Sequence, residues 1–121
     1  VIGAPVDLAI LASQARESGE AYLAIMVTES CRLGIEARWD GRLSLELEGE
    51  VRLLPPGEVD PASLGPVLHR LSGLAALGFR LRHFGDGWVL ATRPMEAEET
   101  AEAVEACVRL LEPEYINHRP A

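Results

Sequence analysis

Lysine is absent from this chain of 121 residues, and all 11 basic residues are arginine. That excludes Schiff-base chemistry on a lysine and the lysine of a phosphate-binding loop. Cysteine is scarce. Cys31 and Cys107 stand far apart, without the Cys-x-x-Cys spacing of a metal or redox site. Two are too few for a secreted disulfide framework. They read as small buried hydrophobes, with a single bridge between them left open. No apolar run reaches the roughly 18 residues that a membrane-spanning helix needs. The stretch Val1–Asp7 has no basic segment, and Pro5 and Asp7 interrupt it. No signal peptide is expected, and the location is read as cytoplasmic.

What is abundant is acid. Nineteen Asp and Glu against 11 Arg give a net charge of −8. Such a surface repels phosphate backbones, so neither nucleic acid nor an anionic membrane is an expected partner. Hydrophobic residues at 48% and charged residues at 25% are ordinary globular values, which excludes disorder and low complexity. The length fits one domain, residues 1–121, with a core over about residues 5–111 and a tail at 112–121.

Pro5 suits a first helical position, and Leu8, Leu11, Ala12 and Ala15 then recur at helical spacing, with Ile10 widening the stripe. A helix is expected over about residues 5–18, ended by Gly19. Residues 21–28, AYLAIMVT, are nearly all apolar and short, which predicts a strand buried on both faces. Leu33, Ile35, Ala37 and Trp39 alternate with polar residues. So do Leu43, Leu45, Leu47, Val51 and Leu53 beyond the Asp40-Gly41 turn. A two-residue loop would set the apolar face of one strand against the polar face of the next. A three-residue loop, Asp40-Gly41-Arg42, pairs Trp39 with Leu43, Ala37 with Leu45, Glu36 with Glu46 and Arg32 with Glu50. The second register is expected, since a one-residue slip turns every side chain over.

Pro55-Pro56-Gly57 breaks the chain. Asp60-Pro61 opens a second helix that Gly65-Pro66 interrupts and Leu77-Gly78 ends. Its apolar stripe is Leu64, Val67, Leu68, Leu71, Leu74 and Ala75. Residues 79–84 and 88–92 read as a hairpin closed by Gly85-Asp86-Gly87. A last helix is expected over Met95–Leu111, with Ala97, Ala101, Val104, Val108 and Leu111 on one face. The class is therefore α+β, in the order α-β-β-β-α-β-β-α, with an antiparallel sheet.

Only residues 61–95 are net basic. Arg80, Arg82 and Arg93 form a candidate patch for a small anion, although arginines on a strand face more commonly pair with acidic neighbours. Catalytic signals are weak. His69, His83 and His118 share no metal-ligand spacing. Cys31 as a nucleophile would need an unseen histidine and a lowered pKa. Glu46, Glu48 and Glu50 lie on one strand face and read as a solvated ladder. No cofactor or metal is expected.

The element order, size and acidity resemble the type III secretion chaperones and the similarly folded YbjN-like proteins. The local likeness lies in Val67-Leu68-His69-Arg70-Leu71-Ser72-Gly73-Leu74, then Phe79-Arg80-Leu81, Gly85-Asp86-Gly87 and Trp88-Val89-Leu90. The resemblance implies a curved antiparallel sheet packed by helices. It also implies a non-enzymatic homodimer that captures a partner polypeptide on hydrophobic patches and sheet edges. Leu64, Leu68, Leu71 and Ala75 would contribute to the dimer contact, unless that stripe covers the protomer's own sheet. A domain that binds a small anionic metabolite is the alternative.

Overall fold

A computed structural model describes residues 7–53, 61–83 and 85–112, with backbone alone at 61–64 and 83. The order is α1 (Leu8–Ser18), β1 (Glu20–Val27), β2 (Cys31–Trp39), β3 (Leu43–Arg52), α2 (Pro61–Ala76), β4 (Arg80–His83), β5 (Trp88–Met95) and α3 (Thr100–Leu111). A short 3-10 turn, Ala97–Glu99, joins β5 to α3. The strands form one sheet in the order β1-β2-β3-β5-β4, and every pairing is antiparallel. The chain is thus α+β as expected.

The first long hairpin has the register that side-chain alternation demands. Trp39 faces Leu43, Ala37 faces Leu45, Glu36 faces Glu46 and Arg32 faces Glu50 across a three-residue loop. Cys31, Leu33, Ile35 and Ala37 therefore share a face with Leu45, Leu47 and Val51, and all are buried. The second hairpin, β4 with β5, turns through Gly85-Asp86-Gly87. His83 pairs with Val89, Arg80 pairs with Thr92, and Gly87 takes a positive φ of 82°.

All three helices supply residues to the single core on that face. α1 contributes Leu11 and Ala15, α2 Val67 and Leu74, and α3 Val104, Cys107, Val108 and Leu111. The molecule is a two-layer sandwich, helices on one side of the sheet. Asp7 caps α1, its carboxylate accepting the Ile10 N–H at 3.2 Å. The helix thus starts at Leu8 rather than at Pro5, which lies outside the described residues. Gly19 ends α1 with φ 90°. Ile10 does not join the inner stripe, because it points to solvent.

α2 runs unbroken through Pro66. Its end is a Schellman motif: Phe79 N–H donates to the Leu74 carbonyl at 3.0 Å and Gly78 N–H to Ala75 at 3.1 Å. Gly78 supplies the left-handed turn at φ 92°. Leu74 and Phe79 then meet over Gly49 of β3.

Two further expectations fail. β1 is not buried on both faces. It is an edge strand whose residues alternate between exposed and half-buried. The last helix begins at Thr100, not Met95, because β5 continues through Pro94 to Met95 along β3. This shift puts Ala97 and Ala101 in solvent and turns Thr100 and Cys107 inward instead.

Among the described residues, no helix is long and apolar enough to cross a membrane.

Candidate functional site

Two surfaces are left over once the core is built. One is the sheet face opposite the helices; the other is the free edge of β1. Strand alternation sets the open face. β1 offers Tyr22, Ala24 and Val27, β2 Arg32, Gly34, Glu36 and Arg38, and β3 Glu46, Glu48, Glu50 and Arg52. β5 adds Trp88, Leu90, Thr92 and Pro94, and β4 adds Arg80 and Arg82.

Carboxylates crowd the middle of this face. Glu36, Glu46 and Glu48 bring oxygen atoms within 4.8 Å of one another. Glu36 holds Arg38, and Glu50 holds Arg32 at 3.5 Å, but Glu46 and Glu48 have no ion pair among the described residues. Partial burial, then the charges of Glu36, Glu46 and Glu50, push the Glu48 carboxyl above its ordinary pKa. The sign follows from proton linkage. The folded chain holds this proton more tightly than the unfolded one, so ionising Glu48 costs stability as pH rises through the raised pKa. Tyr22 lies above the same cluster, and burial, then Glu48, raises its pKa too. Arg32 reaches across β3 to lie 4.3 Å from the centroid of the Trp88 ring.

The anion patch does not assemble as a trio. Arg80 pairs with Thr92 and Arg82 with Leu90, so both point to the open face, where they are exposed and have no described partner. Arg93 is one residue out of phase and points to the helix side. There it donates to the Glu99 carboxylate at 3.1 Å. Glu99 also accepts the Glu96 N–H at 3.0 Å, closing the 3-10 turn. The Glu96 backbone bond first, and Arg93 after it, hold the Glu99 carboxyl below its usual pKa. A lowered carboxyl pKa stabilises the fold above the ordinary value and stops doing so as pH falls through the lowered one. Glu99→Gln should therefore lower the melting temperature at pH 7, and the gap from wild type should close on acidification. Thermal melts across that range check it.

The stripe on α2 divides. Leu71 packs against the core, while Ala75 is exposed and Leu68 is 61% exposed. The Leu64 side chain lies outside the described ones. Val67, Arg70 and Leu74 form the inward row.

Cys31 and Cys107 are both free and buried. Burial lifts the Cys107 thiol to about 11, so it stays protonated at neutral pH. Cys31 is on the helix side of the sheet and the glutamates are on the other, so the sheet itself separates these candidate catalytic groups. His69 is exposed on α2, and His118 lies outside the described residues.

The edge of β1 is defined by its hydrogen bonds. Trp39 N–H donates to the Gly19 carbonyl at 2.8 Å, which makes residues 19 and 39 a bonded pair. Antiparallel alternation then turns the backbone of Glu20, Tyr22 and Ala24 away from β2, to the side where no strand lies among the described residues. A bulge at Ile25 follows, where the register shifts by one residue. Tyr22 is 51% and Val27 67% exposed along this apolar strand. Composition marked this segment as strand, but exposure of its edge had no signal in the sequence.

No protein-family model, curated protein or solved structure matches this chain.

Proposed function

We propose that this chain is a non-enzymatic protein-binding domain, resembling the secretion chaperones and YbjN-like proteins. It acts in the cytoplasm as a homodimer and takes an extended segment of a partner polypeptide along β1. The observation that carries this reading is the free apolar edge from Glu20 to Val27. Among the described residues no strand meets its outward N–H and C=O groups, and beyond Glu20 its exposed side chains are Tyr22, Ala24 and Val27. Natural sheets protect such an edge with charge, proline or a bulge, and here Glu20 and the bulge at Ile25 leave a regular run from Ala21 to Ala24 between them. An added strand satisfies its hydrogen bonds, and alternate side chains of the guest are read by the flanking surface. The acidic exterior keeps such a protein soluble.

A small-anion reading has less to stand on, because Arg93 is already held by Glu99 on the opposite face from Arg80 and Arg82.

Ala24→Pro tests the capture. The Ala24 N–H points away from β2, so proline there removes an outward donor and leaves the sheet's own ladder intact. The variant is expected to unfold within a few degrees of wild type, yet to lose at least tenfold in affinity for the polypeptide that wild-type bait retains from its native lysate. Equal retention by both baits, or no specifically retained polypeptide, overturns the reading.

A further inference from the structure

We propose that the open sheet face is the contact between two copies of this chain, stacked face to face about a two-fold axis running along β5. The proposal rests on the homodimeric half of the reading above and says which surface makes the dimer.

Charge is arranged self-complementarily across this face. β5 separates an acidic strand, β3, from a basic one, β4. The rows are aligned: Glu48, Thr92 and Arg80 stand side by side, and so do Glu50, Leu90 and Arg82. A two-fold axis along β5 exchanges the two flanks. It lays Glu48 of one copy over the partner's Arg80, and Glu50 over the partner's Arg82. Glu46, one row further along, reaches the same Arg80. On the axis itself, Leu90 and Pro94 meet their own copies, with Thr92 buried between them and Trp88, capped by the Arg32 guanidinium, at one end. A single self-complementary patch of this kind is what a closed two-fold dimer requires.

Other stackings fail on charge. An axis along β3 sets Glu48 on its own copy. An in-plane axis across the strands sets β3 on β3 and acid on acid again. Of these axes, only the one along β5 brings Arg80 and Arg82 to the β3 carboxylates; Arg80, Arg82, Glu46 and Glu48 have no ion pair among the described residues, and Glu50 already holds Arg32. Like charges face to face cost several kcal/mol in an interface, so the charge pattern selects the geometry.

Along β5 the overlap is about 26 Å long, but on each flank β3 meets only the four residues of β4, about 13 Å. Each copy then contributes a few hundred Å², at the small end of specific contacts. The dimer is accordingly weak, forming at tens of micromolar, and salt-sensitive. β1 and β2 overhang the contact on each side, so both β1 edges stay free.

Sedimentation velocity on the full chain tests this, from micromolar to 200 µM protein in low and in high sodium chloride. Wild type should move from the mass of one 13.1 kDa chain to twice that mass in low salt, and high salt should reverse the change. The double variant Arg80→Glu/Arg82→Glu has an all-acidic patch and should stay monomeric. Glu48→Arg/Glu50→Arg sets arginine over Arg80 and Arg82 and should stay monomeric too. Mixed in equal amounts they should form a one-to-one dimer, because both contacts are restored in the mixed pair. Circular dichroism confirms that each variant is folded. If a double variant is not, the single changes Arg80→Glu and Glu48→Arg replace it. Ala24→Pro should dimerise as wild type does. A wild type that stays monomeric overturns both the face and the homodimer. If the dimer survives in both charge variants, the homodimer stands and the open face is rejected in favour of another surface, such as the Leu68 row of α2. A mixture that stays monomeric likewise rejects the face.

Discussion

Leu74→Ala is expected to remove about 3 kcal/mol of unfolding free energy, as deletion of a fully buried leucine does where the site cannot collapse. Leu74 is completely shielded from solvent. It joins three parts of the molecule at one point. Its carbonyl accepts the 3.0 Å bond from Phe79 that ends α2, and its side chain covers Gly49 beside the Phe79 ring. β3 is held by strands on both sides, and the Schellman turn fixes the end of α2, so little can move in to fill the gap. A domain of this size has roughly 5–15 kcal/mol in total. The change should lower the urea midpoint substantially and the melting temperature by about 10 °C. Equilibrium urea unfolding, with an unchanged slope, is the measurement. A loss below about 1 kcal/mol would mean that α2 is not anchored at this point.

Gly34→Val is expected to cost about 2 kcal/mol, although valine is the better strand residue. A β-carbon at position 34 would lie 2.1 Å from the Tyr22 hydroxyl and 2.9 Å from the Leu23 carbonyl oxygen. The ring can swing into solvent, but the carbonyl belongs to the backbone of β1. The Tyr22 ring occupies the space that the missing side chain leaves, in the manner of an aromatic rescuing a strand glycine. The sign of the effect is therefore set by the partner. In a Tyr22→Ala background the same substitution should cost less, since the overlap with the ring is gone and only that with the Leu23 carbonyl remains. A double-mutant cycle in urea reads the coupling. Equal costs in both backgrounds would mean that the ring does not hold this position.

The first hairpin was legible because two strong constraints agree. Apolar residues must share a face, and the turn residues Asp40-Gly41-Arg42 permit only one loop length that allows it. The facing pair Glu36 and Glu46 followed from the same register, and so did the placement of the acidic ladder away from the core. The stop at Gly78 was legible because a left-handed residue after a leucine-rich helix is a local signal.

The edge position of β1 was not legible. A run such as Tyr22-Leu23-Ala24-Ile25-Met26-Val27 specifies apolar surroundings, but not whether a strand lies on each side. The bulge at Ile25 also lets Ile25 and Met26 both turn toward the core, which hides the alternation. The start of α3 was missed because Pro94 looks like a helix opener, whereas it sits in β5 opposite Glu46. Arg93 could have been placed correctly. Once Gly85-Asp86-Gly87 is taken as a three-residue loop, Arg80 falls opposite Thr92, and Arg93 must lie on the other face. Tyr22 and Trp88, the aromatic residues of the open face, gave no signal of that role by themselves.

The bulge at Ile25 has a further consequence for crowded solutions. A straight, regular border would let chain after chain add side by side into an endless ribbon. Here the regular run stops at Ala24, and the step that follows throws any long guest out of line. The step interrupts edge-to-edge growth into a fibre, a safeguard that costs one extra residue in a single strand.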